Sequence, residues 1–159
     1  MTKFLLAVHV LAAVITIGPV TVAASMFPPT ARRALAAPGD AATLAEARTL
    51  HRICRVYAVI AVVVPVFGLA TANSLDVLSS PWLLTSIALT AAAAAVLGIL
   101  VLPRQATTLT VLDGTLDPRE AATTRRTVGQ LSMHTGLFNL LWATVTVLMI
   151  VRPGSTTGA

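Results

Sequence analysis

Long apolar runs, separated by shorter polar segments, make up most of this chain. Four of the runs are long enough to cross a bilayer as helices, which takes about 20 apolar residues each. They cover about residues 4–26, 50–73, 81–103 and 129–151. Each run is continuous, whereas the strands of a membrane β-barrel alternate apolar and polar residues. The pattern therefore predicts an all-α fold, a four-helix transmembrane bundle, in which residues 1–159 form a single integral membrane domain.

The polar segments contain signals for where helices begin. Residues 38–40, Pro-Gly-Asp, are typical of a turn, and residues 41–50 are predicted to be a helix that continues into the second span. Asp117, followed by Pro118 and Glu120, is typical of a helix start, with the aspartate as the cap and the proline in the first helical position. The fourth helix is therefore predicted to begin near Pro118, before its apolar run.

Prolines, glycines and other small residues inside the runs predict how the helices bend and pack. Gly18 and Pro19 in the first run, and Pro65 and Gly68 in the second, predict kinks. The third run has small residues four positions apart, at Ser86–Thr90, Ala91–Ala95 and Ala94–Gly98. Such residues let helices approach closely in lipid, so this face is either bundle interior or a dimer contact.

The composition indicates that lipid is the main solvent. Hydrophobic residues make up 56% of the chain and charged residues 11%, whereas soluble domains are about 25% charged. Cys54 is the single cysteine, which excludes an intrachain disulfide and a CxxC motif. The run after Lys3 is longer than the apolar core of a secretory signal peptide, roughly 7–15 residues, so we expect a retained helix.

The net charge of +5 comes almost entirely from arginine, and its distribution predicts the orientation of the bundle. The first and third connections contain Arg32, Arg33, Arg48, Arg104, Arg119, Arg125 and Arg126. The connection at residues 74–80 contains neither lysine nor arginine. The positive-inside rule places the arginine-rich connections in the cytoplasm and both termini on the extracytoplasmic side. We expect a multi-pass protein of the cell membrane that contacts membrane lipids and does not bind nucleic acid.

His9 is the first candidate functional residue, because it is a titratable group inside an apolar span. Neutral imidazole binds iron and copper well, so His9 is a candidate ligand for haem b. The alternative is a structural hydrogen bond to a hydroxyl at the start of the third span, from Ser79, Ser80, Thr85 or Ser86. His134 lies at the opposite depth, roughly 15 Å away along the bundle, so a haem shared by His9 and His134 is not expected.

Arg48, His51, Arg52 and Arg55 are the second candidate, since their spacing places them on one helix face. One interpretation is contact with anionic lipid headgroups, which long cationic side chains can reach from a helix in the membrane. The other is a binding site for propionate or phosphate groups. His51 and His134 share a leaflet, so that pair is geometrically compatible with a common ligand.

Short motifs along nearly the whole chain resemble one known superfamily. The first span contains Lys3-Phe-Leu-Leu-Ala-Val-His9-Val, with Gly18 nine residues after the histidine. The later motifs are Arg52-Ile-Cys-Arg55, Phe67-Gly68-Leu69, Pro81-Trp82-Leu83, Phe138-Asn139 and Val151-Arg152-Pro153. Together they are similar to the copper-resistance-D-like superfamily, and most to its four-helix members of unknown function. The haem-binding membrane protoporphyrinogen oxidases are more distant members of that group.

Two departures limit what this resemblance implies about haem. The oxidases typically have a tryptophan seven residues after the histidine, where this chain has Thr16. They typically have a lysine four residues after the tryptophan that opens the third span, proposed to act with the histidine at the haem, where this chain has Ser86. The resemblance therefore implies a cofactor site between the first and third spans, at His9 and Ser86, but it does not favour porphyrinogen oxidation.

From the sequence we predict a non-enzymatic membrane bundle that binds a lipid or partner, or supports a membrane complex, as a homo-oligomer or with another membrane protein. The alternative is a haem-b protein with redox or porphyrin chemistry and His9 as its axial ligand. No Ser-His-Asp set, P-loop or HExxH motif indicates a catalytic residue, and no metal-ion site is predicted.

Overall fold

The structure, a computed structural model, describes residues 2–114 and 117–154. The described residues form four long helices, two of them interrupted. These are α1 (Thr2–Ala36); α2 (Ala41–Ile60) with α3 (Val63–Ser74); α4 (Pro81–Ala95), a π-helical turn (Val96–Val101) and α5 (Leu102–Asp113); and α6 (Pro118–Val151). All four are long and apolar enough to cross a membrane. This confirms the predicted all-α four-helix transmembrane bundle, as expected for a multi-pass membrane protein.

Each long helix continues beyond its apolar run at the same end of the molecule. α1 runs through Pro28 and Pro29 to Ala36, and at 1.5 Å per residue it is about 50 Å long, against about 30 Å of hydrocarbon in a bilayer. We call this end, formed by residues 27–55 and 104–128, the arginine-rich end. It contains nine of the ten arginines of the chain.

Proline accounts for the break in the second helix. Pro65 has no amide hydrogen to bond the Ala61 carbonyl, and the helix is interrupted at residues 61–62, between α2 and α3. In the third helix, the π-helical turn ends just before Pro103. α1 continues through Pro19 without interruption.

Two aspartates start helices: Asp117, whose role as a cap the sequence predicted, and Asp40, for which the sequence predicted only the turn at residues 38–40. Asp117 accepts a hydrogen bond from the Arg119 amide at 2.9 Å, at the start of α6. Asp40 accepts from the Ala42 amide at 3.0 Å and from the Thr43 hydroxyl, at the start of α2. Two hydrogen bonds from Thr43 lower the pKa of the Asp40 carboxyl, because both stabilise the charged form. The bond from the Thr43 hydroxyl has the larger effect and the bond from the Thr43 amide the smaller one.

The bundle packs most closely toward the arginine-rich end. α1 packs against α2, α3 and α6, and α6 packs in addition against α4, the π-helical turn and α5. The main hydrophobic core includes Phe27, Leu131 and Phe138, each almost fully buried. Large apolar side chains such as Ile99 and Ile150 are more than two-thirds exposed on the outside, which suits a surface that faces lipid.

The small residues of the third helix do not form bundle interior as a group. Ser86 and Ala93 are buried, but Ala91, Ala94, Ala95 and Gly98 are exposed. The buried line follows Ser86, Ala93 and Leu97 instead, so the interior interpretation is wrong for the four exposed residues. That face points away from the other helices.

Candidate functional site

His9 lies between α1 and α3, where it bonds to the main chain. Its Nδ1 is 2.9 Å from the carbonyl oxygen of Val64. A carbonyl can only accept, so Nδ1–H is the donor and a neutral His9 ring has its unprotonated nitrogen at Nε2. The bond joins the first helix to the second one just before Pro65, two residues after the interruption at residues 61–62.

Gly68, one helical turn after Val64, leaves the space that the His9 ring occupies. A Cβ atom built on Gly68 would lie 2.9 Å from His9 Cε1 and 3.2 Å from Nδ1. Real Cβ contacts are almost never this close, so any larger residue at position 68 would displace the ring. The glycine and the carbonyl together fix where His9 sits.

Ser86 does not meet His9, contrary to the expectation from the sequence. Ser86 is fully buried on α4, and its hydroxyl donates to the Trp82 carbonyl of its own helix at 2.8 Å. Thr85 likewise donates to the Pro81 carbonyl. α4 packs on α6, and α1 with α4 is not among the closely packed helix pairs of the described residues. The alternative of a structural hydrogen bond is thus met by a different partner, since the interrupted second helix, and not the third span, supplies the carbonyl that His9 bonds.

These positions do not fit a haem held between the first and third spans. His9 offers one ring nitrogen, but the hydroxyl of Ser86 is bonded to its own helix, α4, which packs against α6. In the part of the chain that the structure describes, no group of three or more His, Cys, Asp or Glu side chains is placed to hold a metal ion.

Four buried polar atoms on α6 lack a hydrogen-bond partner in the described residues. They are Nδ1 of His134, Oγ1 of Thr135, Oδ1 of Asn139 and Nε1 of Trp142. Buried polar atoms are nearly always paired, so four within nine residues require an explanation. This group could not be predicted from the sequence, because each residue taken alone is compatible with ordinary packing.

The predicted face of Arg48, His51, Arg52 and Arg55 is divided between different partners. Arg48 forms an ion pair with Asp113 of α5. His51 is half-buried, and its Nδ1 lies 3.0 Å from Oε1 of Gln105. Arg52 and Arg55 are exposed. Only these two arginines of the face are thus directed outward without a described hydrogen bond.

Gln105 joins His51 to the bundle interior, and sequence reasoning did not single it out. Its side chain is fully buried on α5. The Gln105 Oε1 atom can only accept a hydrogen bond, so the proton between it and His51 lies on His51 Nδ1. The Gln105 Nε2 atom donates weakly to Cys54 Sγ at 3.8 Å. The available signal was its position four residues after Val101 and four before Leu109, both of them buried apolar residues.

Comparison of the chain with protein-family models, with curated proteins and with solved structures found no match.

Proposed function

We propose that the protein is a non-enzymatic, multi-pass protein of the cell membrane that binds anionic lipid headgroups through its arginine-rich end. The observation that supports this most directly is the distribution of charge. Nine arginines lie at this end against five carboxylates, and eight of the nine are exposed. Lys3, Asp76 and Arg152 are the charged residues outside it.

Arg52 and Arg55 are the residues best placed for this contact. They begin the second apolar run, and both are exposed. Neither takes part in the two ion pairs of the described residues, which engage Arg33 and Arg48. Cationic side chains near a membrane surface contribute about 1 kcal/mol each in attraction to anionic lipid. On this proposal, the arginine-rich end faces the cytoplasm and both termini face outward.

The test is the thermal stability of the protein in nanodiscs of phosphatidylcholine alone and of phosphatidylcholine with phosphatidylglycerol. We expect a higher melting temperature with the anionic lipid, and a difference that shrinks as salt is added, since exposed charges are screened. Arg52→Gln with Arg55→Gln should reduce the difference, whereas Lys3→Gln at the other end should leave it unchanged. Equal melting temperatures in both lipids at low salt would overturn the proposal.

Haem b binding at His9 is the second candidate, and one observation favours it. A histidine ligand usually donates its second ring N–H to a carbonyl or carboxylate, as His9 donates to Val64. The absence of a contact between His9 and Ser86 argues against it. We therefore expect no Soret band from detergent-purified protein made in haem-replete cells. A Soret band that shifts with dithionite and disappears in His9→Ala would reverse this preference.

A further inference from the structure

A cavity of about 290 Å³ lies between α1 and α6, near the arginine-rich end. Its walls are formed by Ser25, Pro28, Pro29 and Arg32 of α1 and by Ser132, Thr135 and Gly136 of α6. This volume is at the lower limit of ligand pockets, which start at roughly 300 Å³. It suits a small polar group better than a whole lipid or a porphyrin.

The cavity has a cationic side chain that no described carboxylate neutralises. Arg32 is exposed, and its Nη2 donates to Ser132 Oγ at 2.9 Å across the cavity. The ion pairs of the described residues involve Arg33 and Arg48 instead. Ser132 therefore positions the Arg32 guanidinium at the cavity, while the remaining N–H groups of that guanidinium are available to an anion.

Thr135 also lines the cavity, but its hydroxyl is not a ligand there. It is 3% exposed, and its Oγ1 is one of the four buried atoms without a partner. An oxygen this closely covered leaves no room for a ligand atom at hydrogen-bond distance.

Ser25 and Pro29 add complementary polar groups. Ser25 Oγ accepts from Asn139 Nδ2 at 3.0 Å, and no acceptor for the Ser25 hydroxyl proton is found in the described residues. Pro29 lacks the amide hydrogen that would bond the Ser25 carbonyl in a regular helix. The wall therefore offers the Ser25 hydroxyl as a donor to a phosphate.

Apolar surface continues from the cavity toward the membrane centre. Val22 lies one helical turn from Ser25 and is 58% exposed, and Leu140 lies one turn from Gly136 and is 64% exposed. A ligand with its phosphate beside Arg32 can thus lay an acyl chain along these side chains. Free phosphate would gain nothing from them.

We propose that this cavity binds the phosphate of an anionic glycerophospholipid, with Arg32 and Ser25 as its ligands and Val22 and Leu140 beside the acyl chain. The inference rests on the proposed function, which places the cavity at the depth of the lipid headgroups. It deepens that function by naming one defined headgroup site among the exposed arginines.

The experiment is a titration of the detergent-solubilised protein with short-chain phosphatidylglycerol, followed by native mass spectrometry. Arg32→Gln should weaken binding roughly tenfold or more, since it removes a charge-assisted hydrogen bond. Ser25→Ala should weaken binding roughly threefold or more, because it removes the hydroxyl that bonds the phosphate. Arg126→Gln is the matched control, an exposed arginine of the same end away from the cavity.

The variants distinguish this inference from the proposed function. Lipid binding that Arg32→Gln and Ser25→Ala leave intact would overturn the site but not the wider contact of the arginine-rich end. No binding of phosphatidylglycerol by the unaltered protein would overturn both. Binding of inorganic phosphate as tight as that of the lipid would overturn the lipid as ligand, as would equal binding of short-chain phosphatidylcholine.

Discussion

The ring of His9 lies against Cα of Gly68, so close that a Cβ on the glycine would be 2.9 Å from Cε1. The ring cannot retreat freely, because its Nδ1 is held by the Val64 carbonyl. Gly68→Ala should therefore destabilise the protein by about 1–3 kcal/mol, the usual cost of overpacking. Thermal unfolding in detergent measures this.

Gly129→Ala is the control for that substitution. A Cβ on Gly129 would meet no atom within 4 Å, and the residue lies inside α6. Alanine is favoured over glycine in a helix by up to about 1 kcal/mol, so this variant should be neutral or more stable. If both variants melted alike, the contact between His9 and Gly68 would have no energetic importance.

The bundle could be predicted from the sequence because long apolar runs leave few alternatives. Two helix starts could be predicted because the turn at residues 38–40 and the cap at Asp117 are local signals. The hydrogen-bond partner of His9 could not be predicted, because the Val64 carbonyl and Gly68 belong to another helix and no sequence spacing expresses their approach to His9. Of the hydroxyls that the sequence suggested, those of Thr85 and Ser86 bond to their own helix.

The residues of the predicted arginine face have different partners in the structure, for a related reason. Helical spacing places His51 beside Arg48 and Arg55, but at the border of the buried side that contains Ala47 and Cys54. Whether a residue at such a border turns inward depends on the neighbouring helix, where Gln105 offers an acceptor. Spacing along one helix cannot reveal a partner on another.

Gln105 should control the protection of Cys54, the single thiol of the chain. Cys54 is fully buried, so maleimide labelling should be slow in the folded protein and rapid in denaturant. Gln105→Ala leaves His51 Nδ1 without its partner and opens space beside Cys54, at a cost of about 1–3 kcal/mol. The labelling rate should then rise roughly tenfold or more, since it follows the population of open states.

Thr107→Ala serves as the comparison for Cys54 labelling, because Thr107 is exposed on the same helix. Its hydroxyl bonds only to the Pro103 carbonyl of that helix. Equal labelling rates in the two variants would show that Gln105 does not protect Cys54 from the reagent.

The ion pair between Arg48 and Asp113 should contribute little to stability. Its side chains are 55% and 41% exposed, and exposed pairs of this kind are worth about 0.2–1 kcal/mol. A double-mutant cycle with Arg48→Gln and Asp113→Asn should give a coupling energy below about 1 kcal/mol that falls as salt is added. A larger coupling that resists salt would mean that the pair is shielded from water by lipid or a partner.

Asp40 should make α2 sensitive to acid. The pKa of its carboxyl is lowered in the folded protein, chiefly by the Thr43 hydroxyl. Its contribution to stability is therefore fully present above the unfolded pKa of about 3.9 and is lost as the pH falls through the lower folded-state pKa. Asp40→Asn keeps an oxygen acceptor for the helix start but has no charge to lose, so its stability should fall less than that of the unaltered protein below about pH 4. Parallel curves of melting temperature against pH would contradict this.

The π-helical turn at Val96–Val101 has a consequence for the length of the third span. A bond from residue i to i+5 encloses one more residue than an α-helical bond. Removing one residue here, such as the exposed Ile99, should convert the turn to α-helix while Ala93 and Gln105 keep their partners on either side. Removing Ala92 within α4 should instead rotate one half of the helix by about 100° against the other. The third span can thus lose one residue at this turn and still present both of its halves to the same neighbours.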